Sequence, residues 1–259
     1  MLRQRVSGDY LHTSAIIRDG RVVSAVNEPN DYQGPGTGYR MDDARWSRIK
    51  NIRGVIGRDH VLNAEGRHEP PEGAAQFYPI GKAETGRDPH EVVIGISPAF
   101  GERLHRTTAG HSVSDVLAAL TAGILEGGGL PRVVRIRHTA DTSFLGLTAA
   151  HLSGSGYGIG IQAKGTAVIH QRDRLPHMNL ELFSNAPLVS LEHYRAMGRN
   201  AARMTWGETP EPIIVANDGQ ALGARYHPRV ALLYAIETEM TDPGAEPEEM
   251  FFACAERNA

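Results

Sequence analysis

The sequence is most informative at first for what it has little of. Cysteine occurs once, as Cys254, so no intrachain disulfide can form and a reducing, cytoplasmic setting is expected. No run of about 18 apolar residues exists, so no transmembrane helix is expected. The opening MLRQRVSGDYLHTS has no apolar core of the kind that marks a secretory signal. Aromatic residues make up only 6% of the chain, against 29 glycines, a balance that suits tight turns and close backbone packing. The formal net charge is −3, so there is no bulk basic face for nucleic acid.

The familiar chemical motifs are also missing. A phosphate-binding P-loop needs a lysine directly after its second glycine, followed by Ser or Thr. Gly160 and Gly165 have the glycine spacing, but Lys164 precedes the second glycine and Ala167 stands after Thr166. The dinucleotide fingerprint should open a helix. Here Gly154, Gly156, Gly158 and Gly160 recur at every second residue and run into strand-like sequence. DPHEVV approaches the D-x-H-x-x-G signature of proteins that coordinate cobalt through a histidine, but Val93 replaces its glycine. The 12 histidines show no metal-ligand spacing, and no Ser-His-Asp or Cys-His set can be assembled. No internal repeat is present.

What is present has a clear order. Residues 1–57 are mixed: a start that could be helical, a short strand at RVVSAVN, a loop rich in Pro and Gly, and helical spacing in DDARWSRIKNI. Residues 58–89 are polar and rich in Pro and Gly, and read as a linker. From residue 90 the pattern changes. EVVIGI reads as a buried strand, SVSDVLAALTAGILEGGG as a helix capped by Ser112 or Ser114, and RVVRIR as the next strand. YGIGIQ and TAVIH read as strands, SLEHYRAMGRNAARMTW as a helix capped by Ser190, and VALLYAI as a late strand. Strands alternating with helices imply an α/β fold, with a Rossmann-like, largely parallel sheet and flanking helices behind a mixed N-terminal extension. Residues 241–259 form a tail whose place the pattern does not give.

The segment LSGSGYGIGIQAKGTAVIH raises a chemical question, because glycines beside a lysine suggest a phosphate. Alternate glycines leave one face of an extended segment bare, open to another backbone or to a flat ligand. The plain alternative is a glycine-rich hairpin packed under a helix, with Lys164 in solvent. Asp141, just after a strand, lies where α/β sites gather, though taken in isolation a helix N-cap is the better account of it.

Three segments together, EVVIGISPAFG, LSGSGYGIGIQAKGTAVIHQ and LPHMNLELFSNAPLVSLEHYRAMGRNAAR, resemble the medium subunit of adenosylcobalamin-dependent diol and glycerol dehydratases over about residues 90–240. Residues 1–55 resemble the carboxyl-terminal tail of the large subunit of the same enzymes. The chain therefore resembles a large–medium fusion, divided as 1–57 large-subunit tail, 58–89 linker, 90–240 medium-subunit domain and 241–259 tail. Met1 would be an internal methionine of such a fusion, or the start of a separately encoded split protein.

The resemblance implies a radical dehydration of a 1,2-diol to an aldehyde and water, carried out by a complex with adenosylcobalamin as cofactor. In the family the catalytic barrel belongs to the large subunit upstream of this tail, so no catalytic residue is expected here. The medium subunit would hold the lower face and nucleotide tail of cobalamin. Lys164 matches a family lysine beside the cobalamin phosphodiester, and Asp141 an acid that accepts hydrogen bonds from corrin amides. Asn179 and Leu182 match positions lining the benzimidazole pocket, with Phe183 beside them and Ser184 where a proline is usual. Arg225 is the candidate substitute for a family arginine, while Val230 replaces a serine. Expected partners are the large and small subunits and a reactivating factor, with no nucleic acid and no membrane. The tail and linker occupy the place of the helix that targets family members to a bacterial microcompartment, so a cytoplasmic location is expected. The competing reading is a chaperone-like module akin to the small subunit of the reactivating factor.

Overall fold

A computed structural model describes residues 76–184, 186–215 and 226–252, together with the backbone of three N-terminal strands. Those strands are β1 (Arg3–Val6), β2 (Thr13–Arg18) and β3 (Arg21–Ala25), antiparallel in the order 1-2-3. The first of them falls where a helical start was expected. Branched residues at Val6, Thr13, Ile16, Ile17, Val22 and Val23 favour extended backbone, and cross-strand pairing secures it. The Asp19-Gly20 dipeptide between β2 and β3 is a hairpin signature that supports the same outcome. The helical spacing at 42–52 lies outside the described residues.

The main body is one seven-stranded sheet of order β4-β10-β6-β5-β7-β8-β9. Its strands are β4 (Phe77–Lys82), β5 (Glu91–Ile96), β6 (Leu130–Arg135), β7 (Tyr157–Ile161), β8 (Ala167–Gln171), β9 (Glu181–Phe183) and β10 (Glu248–Phe252). The centre, β6-β5-β7, is parallel, while β4, β10, β8 and β9 join it antiparallel. Helices α1 (Val113–Glu126), α3 (Leu191–Thr205) and α4 (Tyr226–Glu239) cover one face, and α2 (Thr142–Leu152) covers the other. The α/β reading thus holds, with the parallel βαβ unit β5-α1-β6 at its centre.

The core follows the strand alternation. Val92, Ile94 and Ile96 of β5 point to α1 and α3, while Val93 points to α2 with Val134, Ile136, Leu145 and Ala149. Ser112 caps α1 by accepting from the Ser114 amide at 3.2 Å. Ser190 and His193 close a reciprocal capping box at the start of α3, with Ser190 N donating to His193 Nδ1 at 3.0 Å.

Three parts differ from the sequence pattern. VALLYAI is not a strand but lies inside helix α4. Leu232, Leu233, Tyr234, Ala235 and Ile236 are all buried, so a helix wrapped on every side shows no period that separates it from a strand. The stretch read as linker contains β4, and the unplaced tail contains β10, which pairs with both β4 and β6. The sheet therefore extends on both sides beyond residues 90–240.

The alternate glycines serve this packing. A side chain at Gly158 or Gly160 would collide with the backbone of α2, at Ala149 and Ala150 or at Thr142 and Gly146. The bare face of β7 is filled by a helix backbone rather than by a ligand, which settles the choice the glycine spacing left open. Gly146 sits in the middle of α2, where it costs about 1 kcal/mol relative to Ala. It is retained because a Cβ there would meet Val168 Cγ2 at 2.7 Å.

This close approach predicts that Gly160→Ala destabilises the fold by about 2–3 kcal/mol, because backbone rather than a flexible side chain must yield. Gly244→Ala, whose added Cβ would meet only Asp242 Oδ1 at 3.6 Å, should be near neutral. Urea unfolding midpoints of the two variants check the contrast.

Candidate ligand site at the carboxyl edge of the sheet

The carboxyl ends of β5, β6 and β7 lie side by side, and this is the edge at which open α/β sheets place ligands. The loops leaving them carry Ser97 and Ala99, then Thr139 to Asp141, then Gln162 to Gly165. The last is a tight turn between β7 and β8, closed by Gly165 N donating to Gln162 O at 2.9 Å. Gly165 has φ 102°, a left-handed conformation that favours glycine.

Every residue of that turn is held. Gln162 Nε2 donates to Ala140 O. The Ala163 amide donates to a Glu237 oxygen at 2.8 Å. The Lys164 carbonyl accepts from the Thr108 amide at 3.0 Å and from Thr108 Oγ1 at 2.9 Å. The Gly165 carbonyl accepts from Tyr194 Oη at 2.6 Å. Burial pushes the Tyr194 phenol well above its ordinary range, so it remains a donor.

Lys164 itself is only 9% exposed. Among the described residues its ammonium makes no hydrogen bond and no ion pair. It lies 5.9 Å from the centre of the Tyr234 ring. The reading of a solvated lysine is therefore wrong, because the turn is pinned and draws the side chain inward. Burial lowers its pKa to about 8, against the opposing fields of Glu237 and then Asp141. At neutral pH it is still mostly charged.

Several buried polar atoms lack a protein partner: Thr107 Oγ1, Gln162 Oε1, Thr166 Oγ1 and Asn179 Oδ1. Three belong to the Lys164 turn or its immediate support, since a side chain added at Gly165 would meet Thr107 Cβ at 3.2 Å. Buried groups of this kind ordinarily find a partner, so a cluster of them beside an ammonium that is unpaired among the described residues fits a polar, anionic ligand. Among the described residues no group of acids, histidines or cysteines could hold a metal ion.

The remaining candidates occupy distinct positions. Asp141 caps α2, accepting from Ser143 N at 2.8 Å and Phe144 N at 3.3 Å, and its charge still reaches Lys164. Asn179 lies in the β8–β9 loop, which His170 pins by donating from Nε2 to Pro176 O at 3.0 Å. Leu182 is 49% exposed on the edge strand β9. Phe183 points the other way and is buried, edge-on to Tyr194 at 5.9 Å. It supports the site from behind. Ser184 is exposed directly after β9. Arg225 lies outside the described residues. Val230 is buried in α4.

The sequence pattern missed Glu237, Thr108 and Gln162. Glu237 directly follows the apolar run VALLYAI, and because glutamates are ordinarily exposed, nothing in the local sequence marks it as a buried carboxylate. A cleft of about 480 Å³, lined by Glu126, Gly127, Gly128, Arg199, Arg203, Trp206 and Glu208, lies at the opposite edge of the sheet. None of the candidate residues lines it.

Comparison with known proteins finds two families along the chain. The dehydratase medium subunit family matches residues 97–211, and the dehydratase large subunit family matches residues 1–60. The glycerol dehydratase large subunit of Citrobacter freundii is 70% identical over 57 residues, which are 22% of this chain and 10% of that protein. The chain thus spans about a tenth of that relative's length. Two solved structures, a glycerol dehydratase reactivase and a diol dehydratase-reactivating factor complexed with ADP and Mg2+, are 19% and 18% identical. They cover 46% and 47% of this chain and 95% of their own, with TM-scores of 0.39 and 0.35. One polypeptide thus carries a segment that matches the dehydratase large subunit family and a segment that matches the dehydratase medium subunit family. Among the described residues no helix is long and apolar enough to cross a membrane.

The depressed Lys164 pKa has a defined thermodynamic sign. A base lowered from 10.5 to about 8 costs stability while it is charged in the fold, and that cost disappears as pH rises from about 8 to 10.5. Relative to Lys164→Met, the wild-type chain should therefore gain roughly 3 kcal/mol across that window, as denaturant unfolding at several pH values would show. An equal pH response in the two proteins would place the ammonium in water.

Proposed function

We propose that the chain is a component of an adenosylcobalamin-dependent diol or glycerol dehydratase, holding the nucleotide side of the cofactor against a large-subunit barrel. The observation that carries this reading is the buried Lys164, unpaired among the described residues, in a pinned turn within the region that matches the medium subunit family. Its ammonium is the natural partner of the cofactor's phosphodiester, as a point charge. Gln162, Thr166 and Asn179 carry free acceptors or hydroxyls suited to the amide-rich rim of a corrin. Asp141 keeps negative charge beside Lys164, and the exposed Leu182 offers an apolar contact for the benzimidazole. Ser184 and Arg225 complete the proposed set.

When bound, adenosylcobalamin supplies the radical chemistry by which a substrate hydrogen is abstracted. This chain's residues bind and orient. They move no substrate proton, and the groups that touch substrate belong to the barrel. The chain accordingly acts within a hetero-oligomer containing large and small subunits, exchanges damaged cofactor through a reactivating factor, and works in the cytoplasm. The hydro-lyase activity, the choice between propanediol and glycerol, and these partners are parts of the same proposal.

The test is steady-state kinetics on the chain assembled with a complementary large-subunit barrel and small subunit. A charged hydrogen bond to phosphate is worth about 1.5–3 kcal/mol. Lys164→Ala should raise the KM for adenosylcobalamin by roughly 10- to 100-fold, with kcat at saturating cofactor little changed. An unchanged KM would remove Lys164 from the cofactor site.

A further inference from the structure

Glu237 is a fully buried carboxylate at the last turn of α4 that the cofactor reading leaves unused. Its Oε2 accepts from the Ala99 amide at 2.8 Å. Its Oε1 accepts from the Ala163 amide at 2.8 Å and from Ser97 Oγ at 2.5 Å. Ser97 Oγ also lies 3.1 Å from the Ala163 amide. One carboxylate therefore ties the loop after β5 to the turn after β7, and it does so at the residue directly before Lys164.

Three donors converge on Glu237, and no contact ion pair joins it to any described cation. Burial raises the Glu237 pKa, and the Ser97, Ala99 and Ala163 donors together with the Lys164 charge oppose that rise. As a carboxylate it opposes the loss of the Lys164 proton more than Asp141 does. Among the described residues, the groups that act on the ammonium are Glu237 and the Tyr234 ring from α4 and Asp141 from the cap of α2. Glu237 is near enough to favour a proton on Lys164 and too far to occupy it. A salt bridge at contact distance would fill the place an anion needs. With no carboxylate nearby, the buried amine would tend to lose its proton.

We propose that Glu237 is the positioning residue of the Lys164 turn, fixing the Ala163 amide and supplying the counter-charge that keeps the lysine cationic yet open to an anionic ligand. This rests on the reading of Lys164 as an anion-binding lysine and adds to it a residue that touches no ligand.

The chain has three lysines, Lys50, Lys82 and Lys164, so the full chain carrying isotope-labelled lysine gives three side-chain signals. Each can be titrated separately by NMR. Glu237→Gln keeps the side-chain shape and removes the charge. It should lower the Lys164 midpoint by about one pH unit or more, and Asp141→Asn should lower it less. A midpoint that stays or rises in Glu237→Gln overturns the proposal. Glu237→Asp keeps the charge and withdraws the carboxylate by one carbon. It should leave the Lys164 titration within about half a unit of wild type. It should also speed hydrogen exchange at the Ala163 amide by about tenfold or more. If Glu237→Asp lowers the Lys164 midpoint by as much as loss of the charge is expected to, or leaves Ala163 exchange unchanged, the proposal fails even where Glu237→Gln does not fold. Both readouts are independent of cobalamin. The phosphate reading stands or falls separately, on the cofactor KM.

Discussion

A lysine ammonium withdrawn from water, with no contacting anion among the described residues, is the constraint around which the carboxyl edge of this sheet is arranged. Such a group is costly, and it lowers its own pKa unless neighbouring charge opposes the loss of the proton. Here Lys164 is opposed in that way by Glu237 and Asp141, neither of which pairs with it. The turn that carries it is tied to Ala140, Glu237, Thr108 and Tyr194, groups from four separate parts of the fold. A lysine on a loose turn would swing into solvent. On this one it is held, and the unfilled hydrogen-bonding capacity of Thr107, Gln162 and Thr166 remains beside it.

The same edge depends on how closely α2 approaches the sheet. Gly158 and Gly160 let the helix backbone rest on β7, and Gly146 removes the last obstacle from the helix side. That approach sets the height of the α2 cap, and so places Asp141 where its charge reaches Lys164. Strand glycines, helix position and electrostatics thus form one chain of dependence. The unusual glycine spacing and the lysine that follows it are parts of one device, although the glycines touch no ligand.

Much of this was legible beforehand. EVVIGI, RVVRIR and the capped helices at Ser112 and Ser190 declare themselves by branched runs and by cap chemistry. The α/β class and the importance of Lys164 and Asp141 followed from them. Two kinds of feature did not show. VALLYAI carries no period because α4 is buried on all sides, so local pattern could not separate helix from strand. Strands β4 and β10 were hidden because they are edge or near-edge strands in polar, proline-containing sequence, and their pairing joins residues more than 160 positions apart. Glu237 was missed for the related reason that its three donors come from two distant loops. Leu182 and Phe183 were read together, yet the strand alternation sends one outward and the other into the core.

The central claim is that Lys164 waits for the phosphodiester of a nucleotide-bearing corrinoid. The most direct measurement compares the affinity of the assembled complex for cobalamin and for cobinamide, a corrinoid lacking the phosphodiester-linked nucleotide. The account predicts strong preference for cobalamin in the wild-type complex, falling by about tenfold or more in Lys164→Ala through loss of cobalamin affinity alone. A substitution that weakens both corrinoids equally, or neither, would contradict it.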